Sequence, residues 1–236
     1  MSNNELSIVD NVVKNTIKKE LLAKYNGNTV IRSLVQIVPF GSIVDLALTN
    51  SYNNILIERA KCFYDELNSG TVELTTEIIE SEEFLHAYFS TFKAALFTKQ
   101  REKIRFFARL FKSGLPSGQL SKADEYDDYL KILDELTFRE IYFLFTLKEI
   151  EKETGGFHND AKINHWKQFE ETVYRDIKIT PDELKALVVR MVRTGCFMEQ
   201  HAFVGGSHGG YTTVVFDKLY SLIKLKDEDL IFYRKL

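Results

Sequence analysis

Apolar side chains recur at helical spacing along most of the chain, and a strand-like pattern appears only near the C-terminus. In the segment 81–113, aromatic and aliphatic residues lie three and four positions apart, which predicts helices with one buried face. Further helices are predicted over Glu5–Lys24, Ser51–Leu67, Ala123–Leu136 and Asn159–Tyr174. We therefore expect a mainly α fold with a single β-hairpin.

The most hydrophobic run of the sequence is Val30–Leu48. A membrane-spanning helix needs about 20 consecutive apolar residues. This run is interrupted by polar side chains, and Pro39 and Gly41 divide it into two short pieces. We predict a tight helix-turn-helix that is buried in the core, and contact with a membrane is the less favoured alternative.

The segment from Thr180 carries a strong signal for the start of a helix. Thr180 and Glu183 have the spacing of a capping box, and Pro181 falls at the first helical position, where its missing N–H costs nothing. Gly195 is placed to end the helix in a left-handed conformation. The face predicted to be buried carries Leu184, Leu187, Val188, Met191 and Val192.

After Gly195 the pattern changes to that of a β-hairpin. Cys196–Val204 and Tyr211–Phe216 are rich in β-branched and aromatic residues, which predicts two strands. Four glycines within Gly205–Gly210 predict a flexible tip between them. Asp217 is the predicted cap of a final helix, whose apolar face carries Leu219, Leu222 and Ile223.

This order resembles the winged helix-turn-helix fold of bacterial regulators, in which a leucine-rich helix, a glycine, two strands around a wing and a helix follow one another. The matching residues are Leu184–Met191, Gly195 and Tyr211–Leu222. The match extends over residues 137–236 if Thr137–Glu153, which opens with a second capping box, is the first helix of the domain. The resemblance implies a DNA-binding regulator.

The glycines and the proline within Lys112–Lys122 mark the best domain boundary. We predict a helical domain over residues 1–115 and a winged-helix-like domain over residues 123–236.

The N-terminal part of the sequence resembles uncharacterised bacterial helical proteins. The resemblance lies in the order of four segments: an apolar run broken by Pro and Gly, Glu82–Leu85, the basic helix Arg101–Phe111, and Ile132–Thr137. Some of those proteins are associated with abortive infection and phage defence. They have no agreed catalytic residues, so the resemblance implies none here.

The candidate nucleic-acid contacts are Lys185, Arg190 and Arg193 on the predicted recognition helix, and His208 in the wing. Affinity for DNA depends largely on neutralising phosphates with cations. Residues 136–236 carry fifteen basic and fifteen acidic side chains, so this part of the chain is neutral. Two alternatives remain open: contact with duplex DNA, and docking of a protein partner.

The concentrated basic feature is the series Arg101, Arg105 and Arg109, which are four residues apart and are expected to share a helix face. The favoured interpretation is a solvated face. Its predicted carboxylate partners are Glu80, Glu82, Glu83 or the acidic run Asp124–Asp128. The alternative is contact with an anion or a nucleic acid.

Composition sets further limits on function. The net charge of −3 gives no general attraction to nucleic acid or anionic lipid. Cys62 and Cys196 lie far apart in apolar surroundings, so we expect buried free thiols and not a disulfide framework. The polar N-terminus lacks the pattern of a signal peptide, and a cytoplasmic location is expected.

No nucleotide-binding glycine loop and no Gly-x-Ser-x-Gly elbow occurs in the sequence. His158 and His165 could share a helix face, and His201 and His208 flank the wing, but neither pair supplies a third metal ligand. We expect no catalytic residue, no metal and no cofactor. The sequence predicts a non-enzymatic binding protein that forms a homo-oligomer, with a membrane-acting effector using Val30–Leu48 as a further alternative.

Overall fold

The computed structural model describes residues 18–38, 50–69, 76–114, 123–154, 162–201 and 208–230. The described part is mainly α-helical, with a two-stranded antiparallel sheet near the C-terminus, which confirms the predicted fold class. Several predicted features lie outside the described residues: most of Glu5–Lys24, the second half of Val30–Leu48, most of the proposed boundary Lys112–Lys122, His158, and residues 202–207, which belong to the predicted first strand and the hairpin tip.

The chain divides into two compact units, Met1–Asp127 and Asp128–Leu236, and the division falls within a helix. Residues 18–24 are helical and end in a turn at residues 25–27. The helices that follow are α1 (Thr29–Ile37), α2 (Asn50–Asn68), α3 (Thr76–Ile79), α4 (Glu82–Phe97), α5 (Lys103–Ser113) and α6 (Ala123–Glu135). The remaining elements are α7 (Phe138–Thr154), α8 (Lys162–Ile177), α9 (Pro181–Arg193), β1 (Phe197–His201), β2 (His208–Thr212), α10 (Val214–Leu222) and a 3-10 turn, Asp227–Leu230.

In the N-terminal unit, α2, α4 and α5 pack against one another around a cluster of aromatic rings. Phe92 contacts the rings of both Phe63 and Tyr64 at centroid distances of 5.3 and 5.4 Å. The hydroxyls of Tyr64 and Tyr88 are 2.6 Å apart, and Tyr88 donates to the Leu34 carbonyl. Burial raises the pKa of both tyrosines, so the core holds neutral hydroxyls that are hydrogen-bonded to each other.

In the C-terminal unit, α7 forms the centre, and residues 141–147 are all buried. Helix α8 and strand β2 pack on α7, and α9 packs on β1. Both predicted capping boxes are confirmed, since Thr137 and Glu140 exchange hydrogen bonds at the start of α7 and Thr180 and Glu183 do so at the start of α9. Gly195 follows α9 with a φ of 73°, as predicted.

The second strand is shorter than predicted, and the final helix begins earlier. Strand β2 ends at Thr212, and Val214–Phe216, predicted as strand, form the first turn of α10. The cap is Thr213 and not Asp217, because the Thr213 hydroxyl accepts from the Phe216 amide at 3.4 Å. Burial of Phe216 against the unit's core then outweighs the strand propensity of the valines.

The second strand also begins earlier than predicted, because Gly209 and Gly210, predicted as part of the tip, belong to β2. They pair with Gln200 and Glu199 of β1. Close packing requires glycine at position 210, where a side-chain carbon would overlap the ring of Phe197 and lie 2.6 Å from the Met198 carbonyl oxygen. At Gly209 an added carbon would lie 3.3 Å from the Trp166 ring.

Replacing Gly210 with alanine should therefore lower the free energy of unfolding by about 1–3 kcal/mol, since the added carbon has no space. Urea-induced unfolding measured by circular dichroism tests this. Gly27→Ala is the matched control, because no atom lies within 4 Å of the carbon it would add. Equal stability of the two variants would contradict the packing described for β2.

Candidate functional site

Helix α9, the predicted recognition helix, buries one face and exposes the other. Leu184, Leu187, Val188 and Met191 are buried as predicted. Val192 was predicted to be buried with them, but it is 42% exposed. Successive residues of a helix are rotated by about 100° about its axis, and this places Val192 at the edge of the buried face, between the core and the solvent.

The three predicted nucleic-acid contacts of α9 each have a carboxylate partner within the C-terminal unit. Arg190 Nε lies 2.8 Å from Glu140 Oε1, and Arg193 Nη1 lies 3.2 Å from Glu135 Oε2. Lys185 Nζ lies 3.4 Å from Asp182 Oδ1 one turn earlier. All three side chains are at least half exposed, but none presents a cation without a counter-charge.

The Arg190 pair is a structural contact. The Glu140 side chain is only 2% exposed, and its second oxygen accepts from the amide and the hydroxyl of Thr137 at 2.7 and 2.9 Å. Arg190 therefore joins α9 to the capped start of α7. The sequence identified the capping box, but it held no signal that a residue fifty positions later would bind the same carboxylate.

The exposed side of α9 has an apolar centre. Four residues project from the helix on the side opposite its buried residues, and we call them the outer face of α9. They are Asp182, Ala186, Val189 and Arg193. Val189 is 68% exposed, and Ala186 beside it is also exposed. The outer face therefore has an acidic N-terminal end, an alanine and a valine in the middle, and a basic C-terminal end.

The fourth predicted contact, His208, opens strand β2. The register of the hairpin makes it the direct partner of His201, as expected from the flanking positions of the two histidines. Their side chains lie outside the described residues. Within the described residues, no group of three or more histidine, cysteine or acidic side chains could hold a metal ion.

Two buried polar residues attach the hairpin to the helices: Glu151, which the sequence did not single out, and His165, which it offered only as half of a histidine pair. Glu151 of α7 accepts from the amide and the hydroxyl of Thr212 at 2.7 and 2.5 Å, and burial raises the pKa of its carboxyl. His165 of α8 lies with Nε2 3.1 Å from the Gly210 carbonyl oxygen. Because these bonds satisfy buried groups, they fix the position of β2 on the helices.

In the N-terminal unit, the three arginines predicted to share a helix face, Arg101, Arg105 and Arg109, lie in different environments. Arg101 precedes α5, and its guanidinium lies 3.8 Å from Glu58 of α2. Arg109 is 11% exposed and binds Glu66 at 2.8 Å. These carboxylates belong to α2, which the prediction of acidic partners did not include.

A cleft of about 410 Å³ lies beside these arginines, and charged side chains of both signs line it. The lining residues are Lys24, Glu58, Lys61, Cys62, Asp65, Glu66, Arg101 and Arg105. Cys62 and Arg105 both line the cleft, so the thiol shares it with a guanidinium. Lys24 binds Asp65 at 2.7 Å, so much of the positive charge in the cleft is already neutralised.

The two cysteines are both free thiols, as predicted, but they differ in environment. Cys196 is fully buried, and burial raises its pKa to about 11. Cys62 is only half-buried. Burial raises the pKa of Cys62 as well, while the guanidiniums of Arg105 and Arg101 oppose that rise by stabilising the thiolate.

In comparisons with known proteins, no family model, no curated protein and no solved structure matches this chain. The resemblances to winged-helix regulators and to phage-defence proteins therefore stay predictions from the sequence. Among the described residues, no helix is both long enough and apolar enough to cross a membrane.

Arg190 and Arg193 should differ in their effect on stability. Arg190→Ala leaves the buried Glu140 carboxylate without its guanidinium, and we expect a loss of about 1–3 kcal/mol in the free energy of unfolding. Arg193→Ala removes a surface pair, which contributes about 0–1 kcal/mol. Urea unfolding of the two variants measures the difference, and equal losses would contradict a structural role that is specific to Arg190.

Alkylation by iodoacetamide should modify Cys62 before Cys196 in the folded protein. Arg105→Gln removes a positive charge that stabilises the Cys62 thiolate, so the pH midpoint of Cys62 alkylation should rise. Mass spectrometry of the alkylated peptides across a pH series gives this midpoint for each cysteine. Lys93→Gln on the exposed side of α4 is the control and should leave the midpoint unchanged. An unchanged midpoint in Arg105→Gln would contradict the effect of this guanidinium on the pKa of Cys62.

Proposed function

We propose that this chain is a non-enzymatic binding protein and that its C-terminal unit docks a protein through the outer face of α9. The observation that carries the proposal is the position of Val189. It lies at the centre of the face that a recognition helix would present to base edges, and it is 68% exposed. Base edges are recognised mainly by hydrogen-bonding side chains, and alanine and valine could contact only the methyl group of thymine.

Electrostatics support the same conclusion. Binding to duplex DNA gains its free energy largely from cations that neutralise phosphates. On α9 those cations already contact Asp182, Glu135 and Glu140, and the Arg190 contact stabilises the fold. Contact with phosphates would have to compete with these ion pairs in a part of the chain whose charges cancel.

The partner expected at this face is a helix with an apolar stripe between ends of opposite charge. Such a helix would cover Val189 and Ala186 and would meet Asp182 and Arg193 with complementary charges. Isolated exposed valines are common on protein surfaces. What favours docking here is the combination of an apolar centre with charged ends on one solvent-exposed helix face.

A DNA-binding regulator, which the winged-helix resemblance implies, is the rival function, and a salt series distinguishes the two. Fluorescence polarisation with labelled random duplex DNA should show no steeply salt-dependent binding by the full chain. Lys185→Glu/Arg193→Glu reverses the two cations of α9 that the fold does not depend on, and it should not change the result.

The matched control is Lys167→Glu/Lys226→Glu, which makes the same change in net charge at exposed positions away from α9. Two results together would overturn the proposal. The first is an affinity for DNA that falls steeply as the salt concentration rises. The second is a slope of log affinity against log salt that the α9 variant reduces by about one per lost phosphate contact, while the control variant leaves it unchanged.

A further inference from the structure

The outer face of α9 has the spacing of a helix-pairing seam. Its residues, Asp182, Ala186, Val189 and Arg193, follow one another at intervals of four, three and four positions. This is the spacing at which apolar residues line the contact between two coiled helices. The seam is short, because α9 spans only Pro181–Arg193.

We infer that the occupant of this face is a second copy of the same chain, whose α9 packs antiparallel to the first. This inference rests on the proposed docking function and names its partner. A two-fold axis midway between positions 187 and 188 would place each residue of the seam opposite a complementary residue of the second copy. Ala186 would face Val189, and Asp182 would face Arg193.

The packing supports this register. Alanine opposite valine lets the two helix backbones approach closely, and the arrangement occurs twice because the axis repeats it. Both side chains are exposed in the single chain, so pairing removes apolar surface from water without moving any buried residue.

The charges support the antiparallel direction. The Asp182 side chain is 94% exposed and that of Arg193 is 61% exposed, so both can reach a second molecule while keeping their present partners. A parallel pair would place Asp182 against Asp182 and Arg193 against Arg193. The antiparallel pair avoids this repulsion, and it also brings the positive end of each helix dipole to the negative end of the other.

Two helices of this length cover less than the roughly 1,200 Å² that stable interfaces bury. We therefore expect a concentration-dependent dimer. Sedimentation velocity of the full chain, over a range of concentrations that spans the micromolar region, should show reversible conversion of monomer to dimer.

Val189→Glu should abolish the dimer, because it places two carboxylates at the centre of the contact. Its matched control is Val214→Glu, the same substitution at a valine of α10 that is 81% exposed, and this variant should dimerise like the wild type. Circular dichroism confirms that both variants fold. A dimer that survives Val189→Glu would overturn the inference.

A charge exchange tests the register. Asp182→Arg alone and Arg193→Asp alone each place like charges opposite each other, and each should weaken dimerisation about tenfold or more. The double variant Asp182→Arg/Arg193→Asp restores opposite charges across the axis and should recover most of the affinity. Absence of recovery, with a folded double variant, would overturn the antiparallel register.

Failure of this inference can be distinguished from failure of the proposed function. A chain that is monomeric throughout the concentration range and shows no salt-dependent DNA binding overturns only the self-pairing. A monomeric chain whose steeply salt-dependent DNA binding is reduced by Lys185→Glu/Arg193→Glu overturns both.

Discussion

The buried carboxylate of Glu140 is the contact on which the arrangement of the C-terminal unit depends. One oxygen caps the start of α7 through Thr137, and the other binds the guanidinium of Arg190 from α9. A carboxylate that is 2% exposed requires such partners, because an unpaired buried charge is strongly destabilising. The same contact therefore joins α9 to α7 beside the buried apolar face that determines which residues of α9 point outward.

The hairpin is held by the same physical principle at the other end of α7. Glu151 satisfies the amide and the hydroxyl of Thr212, and His165 reaches the carbonyl of Gly210. Each bond joins a helix to a strand, and each satisfies a group that would otherwise be buried without a partner. The buried acid, histidine and threonine are thus accounted for by the fold.

Local signals in the sequence were sufficient for much of this architecture. The capping boxes at Thr137 and Thr180 and the left-handed Gly195 depend on residues within one turn of each other, and all are confirmed. The cap of α10 was missed although its signal is also local, because the strand propensity of the valines that follow Thr213 outweighed it in the prediction. The partners of the arginines are different, because Arg190 and Arg193 bind carboxylates fifty or more positions earlier in the chain. These contacts are not encoded in spacing, so the sequence could not show that the two arginines of α9 are already paired.

An exposed valine in a helix such as α9 lowers the stability of that helix. Valine is a poorer helix former than alanine, lysine or glutamate, because its branched side chain loses rotamer freedom against the preceding turn. At a solvent-facing position that cost is not offset by burial, and the Val189 side chain is 68% exposed. A helix selected only to stabilise its own unit would gain from a polar or straight-chain residue at position 189. The exposed part of the Val189 side chain gains free energy of burial only when another surface covers it, which is the physical reason for proposing a partner at the outer face of α9.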